Sequence, residues 1–138
     1  MLLPWHIYQE AEEEGVQVHF LPFEEQPALS VPGHIGIDLT KVQTMEEETT
    51  IALHEFAHCA THSFYNAYSP INCRQKQENT ADKYAILRYL PKHELECAAS
   101  QGYRELWSLA EYFGVTEEFM KKAVCYYTNG NLAVDLYF

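Results

Sequence analysis

The segment from Thr44 to Ala67 restricts the fold more than any other part of the sequence, because its pattern is that of a long helix with one polar face. Thr44 is a good N-cap residue, and the glutamates at 46–48 fall in the first turn, where the helix dipole favours negative charge. His54 and His58 are four positions apart and therefore lie one turn apart on the same face. The opposite face is apolar and is expected to pack into a core.

The two histidines belong to the pattern His-Glu-x-x-His, with Glu55 between them. Imidazoles one helical turn apart can reach a single metal ion, so we predict His54 and His58 as ligands. Glu55 stands beside such an ion without having to bind it. This is the position from which a general base removes a proton from metal-bound water. The pattern therefore indicates metal-dependent hydrolysis.

A catalytic zinc site needs three protein ligands and one open position for water, so a third ligand is required. Glu78 is the candidate, because the chain between His58 and Glu78 has room for one helical turn, a loop and a returning antiparallel helix. Small alanines in the second helix allow close approach to the first. Asp82 is one turn beyond Glu78 and is expected to accept the N–H of His54, which fixes the ring orientation.

Two histidines and a carboxylate suit one zinc ion per chain, although iron and manganese also accept this ligand set. Zinc lowers the pKa of its bound water to about 7 and stabilises a developing oxyanion. A second donor to that oxyanion is expected, with His62, Tyr65 and His34 as candidates. Ordinary packing is the alternative interpretation for each of the three.

Hydrophobic periodicity and turn residues predict an α+β fold, in which a small N-terminal β-sheet packs on a mostly helical body. We expect a single domain over residues 1–138. The predicted strands cover 15–23 and 34–40, with a loop at 24–33 and a possible last strand in the tail from 129. The predicted helices cover 5–14, 44–67, 74–90, 91–102, 103–114 and 115–128.

The formal net charge of −11 disfavours direct binding to nucleic acid or to an anionic membrane and favours a basic protein partner. No apolar run is long enough for a membrane span, and the first residues lack the features of a signal peptide, so a cytoplasmic location is expected. The four cysteines have no C-x-x-C spacing and are interpreted as reduced and mostly structural. Cys59 is expected to point away from the metal ligands.

The segment LAEYFGVTEEFMKKAVCYY has a helix–turn–helix layout. Glu117 and Glu118 lie near the start of its second helix, where contacts to bases and phosphates would fall. Direct DNA binding is therefore not expected, and we predict that this segment packs beside the active site.

Three stretches, ALHEFAHCATH, RQKQENTADKYAILRYLP and LWSLAEYFGVTEEFMKKAVCYY, resemble the ImmA/IrrE family of small metallopeptidases over about residues 15–127. The resemblance implies a zincin-like fold of the gluzincin type, with His54, His58 and Glu78 as ligands and Glu55 as base. It also implies an antirepressor role in prophages or integrative elements. In that role the peptidase cleaves or inactivates a separate helix-turn-helix repressor.

Enzymes with a zincin-like fold hold an extended peptide along an edge strand, and main-chain pairing of this kind is a general mode of peptide recognition. The strand at His34, Ile35, Gly36 and Ile37, continuing to Leu39, directly precedes the metal helix and is predicted to be this edge. Two functions stay open at this stage. One is a zinc endopeptidase acting on a protein, and the other is a non-proteolytic module that sequesters a repressor or senses a signal. The oligomeric state is also open.

Overall fold

The computed structural model describes residues 1–136. Its helices are α1 (Pro4–Glu13), α2 (Met45–Thr61), α3 (Ile71–Tyr89), α4 (Lys92–Ser100), α5 (Leu106–Phe113) and α6 (Glu117–Asn129). Its strands are β1 (Gln17–Phe20), β2 (Ala28–Val31) and β3 (His34–Ile37). Short 3₁₀ turns follow β3 at Leu39–Lys41 and lie in the tail at Val134–Leu136. The predicted α+β architecture, a small N-terminal sheet followed by a helical body, is confirmed.

Strand β2 lies in the segment that was predicted to be a loop, so that prediction is wrong. Its flanking prolines, Pro27 and Pro32, are typical of loops, yet an edge strand tolerates proline at its ends. Pro32 and Gly33 form the two-residue turn between β2 and β3, and Gly33 has the left-handed φ of 79° that such a turn requires. Pro32 and Gly33, two of the residues that favoured a loop prediction, therefore form the turn of the β2–β3 hairpin.

Strand β3 is the central strand of the sheet, whose order is β1-β3-β2. It pairs in parallel with β1 and antiparallel with β2, so both of its backbone edges are already hydrogen-bonded. The prediction that His34–Ile37 forms a substrate-binding edge is therefore wrong. Ile35 and Ile37 face the core, and the ring of Phe23 covers Gly36 so closely that an added Cβ would lie 2.8 Å from it.

Asp38, at the end of β3, anchors the loop that leads into β2. Its carboxylate accepts hydrogen bonds from the backbone N–H of Phe23 at 3.0 Å and from the backbone N–H of Thr40 at 3.1 Å, and it pairs with Lys41 Nζ at 2.7 Å. The Lys41 ammonium, together with these donors, holds the pKa of the Asp38 carboxyl well below its usual range.

Helix α2 ends six residues earlier than predicted, at Thr61, because His62 adopts a left-handed conformation with φ 53°. The N–H of Ser63 then closes the helix by donating to the backbone oxygen of His58. Helix α3 begins at Ile71, slightly before its predicted start. The tail forms a 3₁₀ turn where a last strand was considered, and residues 137–138 of that prediction lie outside the described part of the chain.

The apolar face of α2 packs into the core, as predicted, with Leu53, Phe56 and Ala57 at most 1% exposed. Burial of each large side chain contributes about 1.5–3 kcal/mol. Ala81 and Ala85 on α3 are fully buried, so the two helices approach closely there. Within residues 1–136, no helix has the length and apolar character that a membrane crossing would need.

Candidate metal centre

His54 and His58 from α2 and Glu78 from α3 bring three ligand atoms to one point. The Nε2 atoms of the two histidines are 3.1 Å apart. Glu78 Oε1 lies 3.1 Å from His58 Nε2, and Glu78 Oε2 lies 2.9 Å from His54 Nε2. In a tetrahedral zinc site with bonds of about 2.0–2.1 Å, neighbouring ligand atoms are about 3.3–3.4 Å apart. The observed separations are close to that value.

The second nitrogen of each imidazole has its own acceptor. His54 Nδ1 lies 3.1 Å from Asp82 Oδ1, and His58 Nδ1 contacts the backbone oxygen of Ser63. With the protons on both Nδ1 atoms donated to these oxygens, both Nε2 lone pairs point towards each other and towards the Glu78 carboxylate. Three acceptors that converge without a proton between them repel one another, and either an added proton or a metal cation removes that repulsion. The donor set therefore fits a metal ion.

The pKa values of the cluster also indicate that its centre attracts a cation. Burial alone would lower the pKa of His54, but hydrogen bonds to the Asp82 and Glu78 carboxylates outweigh it and raise the pKa to about 10. Burial likewise opposes ionisation of Glu78, yet its hydrogen bonds to His54, His58 and Tyr65 hold the pKa of this carboxyl well below its usual range. The cluster therefore favours positive charge at its centre.

Glu55 lies at the junction of two cavities that adjoin the cluster. The smaller, about 100 Å³, is bordered by Ser30, Phe64 and Tyr65. The larger, about 350 Å³, is lined by residues of the loop before β2 and of α2, α3 and α6. The residues Ala28, Glu55 and Glu78 line both cavities. The centre thus sits midway along a cleft that has space on either side of Glu55.

Of the three candidate oxyanion donors, the structure brings only Tyr65 to the cluster. Its hydroxyl donates to Glu78 Oε1 at 2.6 Å, and its side chain lines the smaller cavity. Burial and this hydrogen bond raise the pKa of Tyr65 to about 12, so the hydroxyl keeps its proton at neutral pH. His62 is exposed at the end of α2 and lines neither cavity. His34 lies on the sheet, where its Nδ1 is 3.1 Å from Nε2 of His19.

Lys122 was not identified from the sequence. Its Nζ lies 3.0 Å from Asp82 Oδ2, so a chain of contacts runs from Lys122 through Asp82 to His54. Nothing in the sequence near Lys122 marks this role, apart from the prediction that the last two helices pack beside the site. That prediction is confirmed for α6, since Phe119 and the N-cap residue Thr116 line the larger cavity. No residue of α5 lines either cavity.

The free edge of β2 borders the same cleft. Asp38 N donates to Pro27 O at 2.8 Å, so residues 27 and 38 form a hydrogen-bonded pair. Hydrogen-bonded and non-hydrogen-bonded pairs alternate along an antiparallel ladder. Ala28 and Ser30 are therefore in the non-hydrogen-bonded positions, and their backbone N–H and C=O groups point away from β3. Both residues line the smaller cavity.

A scan against protein-family models matches residues 11–124 to the IrrE N-terminal-like domain, Peptidase_M78. The chain belongs to this family. The family resemblance predicted from the motifs is thereby confirmed, and the α+β architecture is consistent with the family fold. Searches found no match among curated proteins or among solved structures. Membership of this peptidase family and the group formed by His54, His58 and Glu78 together support a metallopeptidase with a metal cofactor.

Proposed function

We propose that this member of the IrrE N-terminal-like family is a zinc-dependent endopeptidase that binds one zinc ion per chain through His54, His58 and Glu78. The observation that carries the proposal is the convergence of these ligand atoms to within about 3 Å in an open cleft beside Glu55. Bound zinc would supply a water of lowered pKa and would polarise the carbonyl of the scissile bond.

Glu55 is the general base of the proposed reaction. Its carboxylate takes the proton of the attacking water and then delivers it to the nitrogen of the leaving amine. Its place at the junction of the two cavities fits this role, because the scissile bond of a peptide lying along the cleft passes this point. The neighbouring ligands remain held by Asp82 and Ser63 while this proton moves.

Tyr65 is the proposed second donor to the developing oxyanion. In the structure its hydroxyl donates to Glu78 Oε1, an oxygen that also belongs to the ligand set. If Glu78 Oε1 were engaged in holding a metal ion, the Tyr65 hydroxyl would be free to donate to a substrate carbonyl in the same cavity. An ordinary tyrosine hydroxyl has a pKa of about 10, so Tyr65 keeps its proton for this hydrogen bond at neutral pH.

The substrate would lie in extended form along β2, in place of the edge expected at β3. The outward N–H and C=O groups of Ala28 and Ser30 can pair with a peptide main chain on the side where the cleft contains Glu55. Main-chain pairing holds the peptide whatever its side chains, and the larger cavity with Ile51 and Phe119 accepts an apolar side chain beside it.

We further propose that the protein substrate is a helix-turn-helix transcriptional repressor of a prophage or integrative element. The chain would act as an antirepressor in the cytoplasm. The resemblance to ImmA/IrrE proteins supports this substrate. The strongly acidic chain also supports it, because a repressor that binds DNA carries basic surfaces that an acidic protein attracts.

The metal content of the purified protein tests the ligand set. We expect about one zinc ion per wild-type chain by elemental mass spectrometry and a clear loss in Glu78→Ala. Glu118→Ala is the matched control, because Glu118 is an exposed glutamate that lines the same cleft. A wild-type chain that stays metal-free with added zinc, or equal zinc loss in both variants, would contradict the proposal.

Incubation with the repressor encoded beside this protein's own gene tests the reaction. Glu55→Gln should retain zinc and lose cleavage, because the amide cannot accept the proton of the water. Repressor inactivation that persists in Glu55→Gln, with no change in the mass of the repressor, would favour the non-proteolytic binding module instead.

A further inference from the structure

A second groove lies between the start of the chain and helix α5 and shares no residue with the metal centre. It has a volume of about 570 Å³ and is lined by Met1, Gly102, Ser108 and five larger side chains. These five are Tyr103, Glu105, Trp107, Glu111 and Tyr112, which we call the aromatic–acidic groove. Its size lies within the range of about 300–1,000 Å³ that is typical of binding pockets.

The aromatic side chains of this groove are open to solvent. Trp107 is 61% exposed, Tyr103 is 39% exposed and Tyr112 is 38% exposed. The rings of Tyr103 and Tyr112 lie 4.7 Å apart at a tilt of 42° and form one aromatic pair in the groove. The buried side of α5 is formed by other residues, Leu109, Ala110 and Phe113. The core therefore does not require these exposed rings.

The two carboxylates of the groove belong to Glu105 and Glu111. Glu105 stands at the N-cap of α5, and Glu111 lies one turn beyond Trp107 on the same face. In the described part of the chain, neither carboxylate has an ion-pair partner, and no lysine or arginine lines the groove. The adjacent Arg104 donates from Nε to the backbone oxygen of Ala99, which turns it towards α4.

Ring faces next to unpaired carboxylates form an environment that selects a cation. An ammonium or guanidinium group is attracted by the face of an aromatic ring, most strongly by tryptophan, and each carboxylate adds a charge-assisted hydrogen bond. The net charge of −11 attracts basic segments over a longer range. We propose that the aromatic–acidic groove binds a lysine- or arginine-bearing segment of a protein partner, at a surface separate from the cleavage site.

The two tryptophans of the chain provide an internal control for the test, because Trp5 is 53% exposed on α1 and lies outside the groove. The probe is an acetylated, amidated hexapeptide of alternating lysine and serine, titrated into ¹⁵N-labelled full-length protein. We expect the indole N–H signal of Trp107 to shift saturably while that of Trp5 stays in place. Trp107→Ala should weaken binding about two- to fivefold, the size of an exposed cation–π contact.

The charge contribution is tested with paired double variants. Glu105→Gln with Glu111→Gln should weaken binding about two- to thirtyfold, since each of the two exposed ion pairs contributes about 0.2–1 kcal/mol. Glu12→Gln with Glu13→Gln removes the same charge from α1 and should leave binding unchanged. Equal weakening in both double variants, equal shifts of both indoles, or no shift at Trp107 would overturn the proposal. Shifts of Trp107 that depend on protein concentration without peptide would assign the groove to a second copy of the chain and also overturn it.

Discussion

We expect Asp82 to control the metal affinity of the site without binding the metal itself. This carboxylate is only 3% exposed, and it is the acceptor that holds His54 Nδ1 at 3.1 Å. Without it, the His54 ring loses the contact that sets its orientation and tautomer. A hydrogen bond to a charged group contributes about 1.5–3 kcal/mol, and the 3.1 Å length favours the weaker half of that range. We therefore expect Asp82→Ala to weaken zinc binding about tenfold to a hundredfold, the size usual for carboxylates behind a ligating histidine.

Two further variants are expected to have zinc affinities between those of wild type and Asp82→Ala. Asp82→Asn should fall between wild type and Asp82→Ala, because the neutral amide oxygen still accepts from Nδ1 but without charge assistance. Lys122→Met should weaken binding at most about fivefold, because exposed ion pairs contribute about 0.2–1 kcal/mol. The Lys122 side chain is 41% exposed, and its ion pair in the structure is with Asp82.

Competition with a fluorescent zinc chelator at pH 7 measures all four dissociation constants, and far-ultraviolet circular dichroism checks that each variant is folded. A folded Asp82→Ala that binds zinc as tightly as wild type would refute the reasoning. So would a Lys122→Met that loses as much affinity as Asp82→Ala, because the charge of the lysine rather than the orientation of His54 would then be decisive.

Three other predictions concern the substrate edge, the packing of the N-terminal segment and the pH dependence. Ser30→Pro removes one outward N–H and should lower kcat/KM for the protein substrate about two- to tenfold, with unchanged zinc content. Gly114→Ala should lower the free energy of unfolding by about 1–2 kcal/mol because of the left-handed backbone at this position. It should lower it further because the new Cβ would lie 2.5 Å from a backbone oxygen, and urea unfolding measures the sum. Gly130→Ala, with φ 75° and open space, should show the backbone cost alone. The Lys41 ammonium lowers the pKa of Asp38, so the stabilisation by Asp38 is present above the usual aspartate pKa and is lost as pH falls through the lowered one. The stability difference between wild type and Asp38→Asn should therefore be largest at pH 7 and shrink in acid, and a constant difference would contradict this.

The ligand set was predictable because helical periodicity is local. His54 and His58 must share a face wherever the helix packs, and the same holds for Glu78 and Asp82 on α3. The chain length between the two pairs then leaves an antiparallel return as the simple solution. The predicted contact between His54 and Asp82 is present in the structure, where Asp82 Oδ1 lies 3.1 Å from His54 Nδ1.

The sheet could not be predicted in the same way, because strand pairing joins residues that are distant in sequence. The alternation at His34–Ile37 indicates a strand but not its neighbours, and its central position follows only from pairing with both β1 and β2. The role of Lys122 could not be predicted either, because Lys122 and Asp82 are 40 positions apart in the sequence and meet only through the packing of α6.

The sequence by itself determined which side chains make up the candidate metal centre, because their spacing along two helices fixes their directions through local geometry. Only the tertiary structure decided which strand edge borders the cleft, which lysine supports Asp82 and which candidate donor reaches Glu78. Those relations depend on the packing of whole elements against one another, and many packings are compatible with the same local periodicities.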